Sequence, residues 1–189
     1  SRSAASIVEE VTQVSKVDGF SGTISDLGGP TANLYQTGCN QEKCNRHDCL
    51  FPKVCKNFQT DEEAFLDLLR QVSSHKAVKH VFISSGLRME LLRKTPKLFK
   101  KIIQDHTPGA MKIAPEHTED EVLRLMHKEK HQELALFVSE CKKLCKTLRK
   151  TIQVNPYIIS AHPGCTEEHT RKMVQRLKKL ELTVRGFQD

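Results

Sequence analysis

The chain has 189 residues, 30 Lys plus Arg against 23 Asp plus Glu, a formal net charge of +7, and 38% apolar residues. That is enough for one ordinary domain with a packed core, and no apolar run approaches the ~18 residues of a membrane span. Charges of both signs are mixed along the chain, which excludes wholesale disorder, while the basic excess permits a nucleic-acid partner without requiring one.

Residues 3–15 read as a helix, with Ile7, Val8, Val11 and Val14 at helical spacing and Gly19 as the stop. Residues 20–25 are a short strand-like run that ends in the loop signal Asp26-Leu27-Gly28-Gly29-Pro30. Residues 31–58 have neither helical nor strand period and hold Cys39, Cys44, Cys49 and Cys55. So long an irregular insertion in a compact fold needs a staple, and metal is the natural one. Thr60 and Glu63 have capping-box spacing and open a helix with Phe65, Leu68, Leu69 and Val72 on its apolar face. Residues 80–84 are a second strand. Pro96 suits the first turn of a helix running to about His106. Residues 110–114 form a third strand that ends at Pro115-Glu116-His117. Thr118 and Glu121 repeat the capping spacing for a helix through Met126, and residues 132–148 are another helix. Residues 154–160 are a fourth strand made irregular by Pro156. Thr166 caps a helix with Val174, Leu177 and Leu180, and residues 182–187 are a fifth strand.

Strands and helices alternate throughout, so the expected class is α/β: βα units of a parallel sheet, open or barrel-like, in one domain over residues 1–189 with residues 31–58 as a Cys-rich insertion. In such folds ligands bind at the C-terminal ends of the strands. Here those ends carry Asp26 to Thr31, Ser84 to Arg88, Glu116 to Thr118, and Ser160 to Gly164. Singly, each has a plain structural reading. Gly28-Gly29 makes a tight turn, Arg88 caps a carboxylate on the neighbouring loop, Glu116 favours a helix N-terminus, and His162 is an ordinary loop residue. Together they predict one anion- or cofactor-binding face.

Seven Cys, an odd number, with four inside 17 residues, fit metal or reduced thiols better than a disulfide framework, which points to a cytoplasmic setting. The gaps between Cys39, Cys44, Cys49 and Cys55 are four, four and five residues, which is neither a zinc ribbon nor a ferredoxin run. Four thiolates still suffice for a tetrahedral zinc site or a cluster, with His47 as a substitute ligand. The alternative is a set of reduced thiols in a loop ordered by Leu50, Phe51, Val54 and Phe58. Cys141 and Cys145 share a helix face and read as core, while Cys165 falls in the His162 loop. The basic cluster Lys142, Lys143, Lys146, Arg149 and Lys150 reads as a solvated helix face. Without Trp and with two Tyr the chain lacks a stacking platform for single strands.

The strings Ile24-Ser25-Asp26-Leu27-Gly28-Gly29-Pro30-Thr31-Ala32-Asn33, Ser84-Ser85-Gly86-Leu87-Arg88, Lys112-Ile113-Ala114-Pro115-Glu116-His117-Thr118 and Ile159-Ser160-Ala161-His162-Pro163-Gly164 together resemble the YgiQ-like radical S-adenosylmethionine (SAM) proteins, as does the loop ending Cys49-Leu50-Phe51-Pro52-Lys53-Val54-Cys55. The likeness runs in one order over the whole chain. It implies a partial (β/α)6 barrel, strands two to six, binding SAM beside a [4Fe–4S] cluster, with a reductant as partner and a substrate it does not specify. By that likeness Gly28, Gly29, Pro30 and Thr31 meet the SAM amino group, Glu116 makes a polar contact with SAM, and the loop of His162 and Gly164 lies near the adenine. Arg88 joins the same cofactor-binding set. The departure is the cluster motif: radical SAM enzymes carry CxxxCxxC after their first strand, and no such spacing occurs here. The chain opens at Ser1 and ends at Asp189 directly after a strand-like run, so it reads as an internal fragment that is inactive alone, its four loop Cys forming a separate site. The rival expectation is a zinc-binding Cys-loop α/β module that contacts RNA through its basic surface.

Overall fold

The structure is a computed structural model that describes residues 2–28, 33–39, 41, 42 and 44–188. Helix α1 (Ala4–Val14) starts where the Ser3 hydroxyl accepts the Ser6 amide at 3.2 Å. Strand β1 (Thr23–Ile24) follows, and then comes a feature that periodicity does not reveal. Within the Cys-rich insertion, β2 (Gly38–Cys39) and β3 (Phe58–Gln59) pair antiparallel and close its base. Helix α2 (Glu62–Ser73) is capped by Asp61, whose carboxylate accepts the Ala64 amide at 3.0 Å. The cap is therefore one residue later than Thr60, because a carboxylate beside the helix dipole is the stronger acceptor.

Strand β4 (His80–Val81) and the short helix α3 (Met89–Leu92) come next, α3 being another element that the sequence pattern does not announce. Helix α4 (Pro96–Asp105) has Pro in its first turn, as expected. Strand β5 (Ala110–Glu116) leads to α5 (Asp120–Leu125), which begins at Glu119 without a side-chain cap; the Thr118 hydroxyl turns instead to the Glu119 carboxylate at 3.3 Å. Helix α6 (Gln132–Leu148) has the expected bounds, and β6 (Gln153–Ile159) follows. Helix α7 (Glu167–Lys179) carries a reciprocal cap between Thr166 and His169. Strand β7 (Phe187–Gln188) is shorter than the run expected over residues 182–187.

The pairing confirms an α/β chain with parallel strands. β1 pairs with β4, and β5, β6 and β7 form a three-stranded sheet in that order. A single parallel bridge, Leu87 to Ile113, links the two parts. With the β2–β3 hairpin set aside, the paired strands follow chain order within each part. The sheets are short and form an open wall; a complete barrel is not formed among the described residues. One reason for the brevity of β4 is that the Asp26 carboxylate takes the amides of Ser84 and Ser85 at 2.9 and 3.2 Å, in place of a further backbone ladder.

A single apolar core backs the wall. Phe65, Leu68, Leu69 and Val72 of α2, Ile102 and Ile103 of α4, Phe137 of α6, and Ile113 and Ile158 of the sheet are all buried in it. Each such side chain contributes about 1.5–3 kcal/mol by leaving water. Among the described residues no helix is long and apolar enough to cross a membrane.

Candidate functional site

The inner face of the wall follows from strand parity. In β5, Met111, Ile113 and Pro115 are buried, so Lys112, Ala114 and Glu116 project to the other face. In β6, Asn155 lies on the same side, in register with Lys112. These side chains, with Asp26, the Ser84-Ser85-Gly86 turn, Tyr157 and Arg185, line a hollow of about 640 Å³. That is within the range of small-molecule and cofactor sites, roughly 300–1,000 Å³.

The polar groups of the hollow are held from behind. Asp26 takes the Ser84 and Ser85 amides and the Ser85 hydroxyl, while the Ser84 hydroxyl donates to the Ser25 carbonyl at 2.6 Å. Glu116 has a positive φ of 63°, a costly conformation for a residue with a side chain. Its Oε1 lies 3.4 Å from the Lys128 ammonium, which also donates to the Ala114 carbonyl at 2.9 Å. Its Oε2 is buried with no hydrogen-bond partner, and so is Oδ1 of Asn155. A buried acceptor without a donor costs about 1–3 kcal/mol, and two of them line this one hollow. The arrangement is suited to a ligand that brings N–H or O–H donors.

The other residues singled out from sequence are distributed differently. Gly28, with φ 153°, lines a second cavity of about 500 Å³ between α1, β1 and α2, which Asp26 also borders. Gly29, Pro30 and Thr31 lie outside the described residues. Arg88 does not line the hollow. Its guanidinium is bonded to Glu90 at 2.5 Å and to Glu129 at 3.1 Å in a largely buried cluster, and its backbone is clamped by Asn33, which donates to the Arg88 carbonyl and accepts its amide. His162 bonds the carbonyl of Pro163 at 2.9 Å, within its own loop. Gly164 has φ 89°, a backbone conformation that favours glycine; a Cβ there would stand 2.5 Å from Leu125 Cδ1, the end of an exposed side chain that can turn away.

Behind that loop sits a residue whose chemistry the sequence does not disclose. His117 is almost fully buried; its Nδ1 accepts the Glu119 amide at 3.0 Å and its Nε2 lies 3.6 Å from the Cys165 sulfur. Burial, together with the charges of His169 and His162, lowers its pKa to about 4, so it is neutral at physiological pH. Asn155, Lys112, Tyr157 and Arg185 are further members of the hollow that the strand-end reading passes over. The period-2 alternation of β5 and β6 is the signal that finds the first three.

In the Cys-rich insertion the β2–β3 hairpin sets Cys39 opposite Phe58. The Phe58 amide donates to the Cys55 carbonyl at 3.0 Å, and the Cys55 amide to the Cys49 carbonyl at 2.7 Å. Arg46 runs through the loop and donates to the carbonyls of Asp48 (2.6 Å), Phe51 (2.9 Å) and Lys53. Phe51 stacks on His127 with ring centroids 4.8 Å apart. The basic residues Lys142, Lys146 and Lys150 line a separate cleft of about 460 Å³ with Arg185.

No protein-family model matches the chain. Among curated proteins, it is 36% identical over 203 aligned positions to a UPF0313 protein of Porphyromonas gingivalis, covering all of this chain and 32% of the relative. It is 42% identical over 183 positions to a UPF0313 protein of Vibrio vulnificus, covering 94% of this chain and 24% of that one. A UPF0313 protein of Shewanella oneidensis is 40% identical over 184 positions, covering 95% of this chain and 23% of the relative. Over nearly its whole length the chain is similar to one segment of the UPF0313 proteins, and it spans between about a quarter and a third of their length.

Proposed function

We propose that this chain is the cofactor-facing segment of a YgiQ-like radical SAM enzyme and that its hollow receives S-adenosylmethionine. The observation that carries the reading is the pair of buried, unpartnered acceptors, Glu116 Oε2 and Asn155 Oδ1, in a hollow at the ends of parallel strands. SAM offers what they lack: a methionyl ammonium, ribose hydroxyls and an adenine amine. The UPF0313 relatives support the family.

In this reading Glu116 binds a donor of the ligand while Lys128, 3.4 Å from its other oxygen, holds the carboxylate in place. Asp26 and its two serines hold the turn at Gly86, which has no side chain and so presents backbone at that rim. The Gly28 end of the first loop lies beside Asp26 and presents backbone rather than side chain. When bound together with a reduced [4Fe–4S] cluster, SAM supplies a 5′-deoxyadenosyl radical that abstracts hydrogen from a substrate. The cysteines of this chain do not fit that catalytic cluster, since no CxxxCxxC occurs among them, and no step is assigned to them. A cytoplasmic, reducing setting accords with the free thiols this chain carries.

Calorimetric titration of the chain with SAM tests the reading. Loss of a charged hydrogen bond costs about 1.5–3 kcal/mol, so Glu116→Ala weakens binding by roughly ten- to a hundredfold, and Asn155→Ala by less. Absence of binding at millimolar SAM, or affinities that neither variant changes, would overturn it.

A further inference from the structure

The Cys-rich insertion has no part in the hollow, yet its backbone brings four sulfur-bearing residues into one neighbourhood. Successive hydrogen bonds tie three of them: Cys39 faces Phe58 across the hairpin, Phe58 bonds Cys55, and Cys55 bonds Cys49. The fourth, Cys44, accepts the amide of Arg46 on its sulfur at 3.4 Å, two residues on. The Cys55 sulfur faces the amides of Asn57 and Phe58, two and three residues on, and the Arg46 guanidinium. The Cys49 thiol lies within electrostatic reach of those of Cys39, Cys55 and Cys44.

Amides that point at a cysteine sulfur from two and three residues downstream are the hydrogen bonds that a metal-bound sulfur accepts from its outer shell. A divalent ion held by four thiolates is a net dianion, and the Arg46 cation fixed among the loop carbonyls offsets part of that charge. Among the described residues of 41–57 only Cys55 is buried, so beyond the Arg46 bonds and the Phe51–His127 stack little burial orders the loop. Among the described residues no three Cys, His, Asp or Glu side chains already stand at ligand distance from a common point. A centre built from these residues closes only when the metal arrives, as metal-coupled loops do.

We propose that Cys39, Cys44, Cys49 and Cys55 together hold one thiophilic metal centre, separate from the hollow. The shared chemistry is four thiolate ligands around a Zn²⁺ ion or an iron–sulfur cluster, with His47 outside the ligand set.

The test is metal and acid-labile sulfide content of this chain purified without oxygen, followed by titration of the stripped chain with Co²⁺. Zinc at about one per chain without sulfide identifies a tetrahedral ion, and iron with matching sulfide identifies a cluster. Both support the four-thiolate site, and Co²⁺ then gives the visible bands of a four-sulfur tetrahedral complex. Each single Cys→Ser change in the set lowers metal affinity at least tenfold, while Cys145→Ala keeps the metal. Circular dichroism shows whether each variant folds. Arg46→Gln, which leaves all four thiols in place, weakens retention against a chelator and so keeps the proposal testable if a Cys variant unfolds. Metal at trace levels with no Co²⁺ bands overturns it, as does full retention in a Cys44→Ser, Cys49→Ser double variant or equal loss on Cys145→Ala.

Discussion

Replacing Glu129 with Gln changes how stability depends on pH, and the sign follows from the buried cluster around Arg88. One guanidinium faces two carboxylates, Glu90 at 2.5 Å and Glu129 at 3.1 Å, whose side chains are 6% and 12% exposed. The cluster therefore holds one carboxylate in excess of its cation. Burial first, and the Glu90 charge second, raise the Glu129 pKa from 4.5 to about 7. The folded state then binds a proton that the unfolded chain has released between these values, so this group's contribution to stability falls as pH rises from 4.5 to 7. At 1.36 kcal/mol per unit the loss is about 3 kcal/mol. His117 acts in the opposite sense. Its folded pKa is depressed from 6.5 to about 4, so the unfolded chain binds the extra proton and stability rises with pH across that window, by a similar amount. In the native sequence the two nearly cancel between pH 4.5 and 6.5. Glu129→Gln removes the falling contribution and leaves the rising one. Urea unfolding of both proteins from pH 4 to pH 8 should show the variant gaining about 3 kcal/mol on the parent across that range. Parallel curves would refute the reasoning, because they would mean that Glu129 releases its proton at the same pH in the folded and unfolded chain.

Two further substitutions probe the loops around the strand ends. Asn33→Ala removes both bonds that clamp the Arg88 backbone; the carbonyl keeps the Leu92 amide at 3.1 Å but the half-buried Arg88 amide loses its partner, so a loss of about 1–3 kcal/mol is expected in chemical denaturation, and an unchanged stability would show that water replaces Asn33. Gly164→Ala puts a side chain at a φ of 89°, with an expected cost of about 1–3 kcal/mol from the backbone, and a paired Leu125→Ala change should recover little of it, because the exposed Leu125 side chain can turn away; full recovery would show that the contact sets the cost.

Much of this protein is legible in its residues alone. Helix α6 has its expected bounds and Pro96 its expected place, because helix propensity, spacing and chain chemistry act over a few neighbouring residues. The alternation of strands and helices likewise yields the α/β class, and the strand ends direct attention to Asp26, Ser84 and Glu116, which do share one hollow. What local pattern does not contain, only the tertiary structure decides. Arg88 turns from the hollow to Glu129, forty-one residues away, because a buried guanidinium must find carboxylates and the fold places them behind it. Asn155 joins Glu116 through the register of β6 on β5, and Cys39 meets the Cys55 end of its loop through a hairpin of only two residues a side. These are pairings between distant segments, set by which surfaces can be buried together, and no spacing along the chain records them.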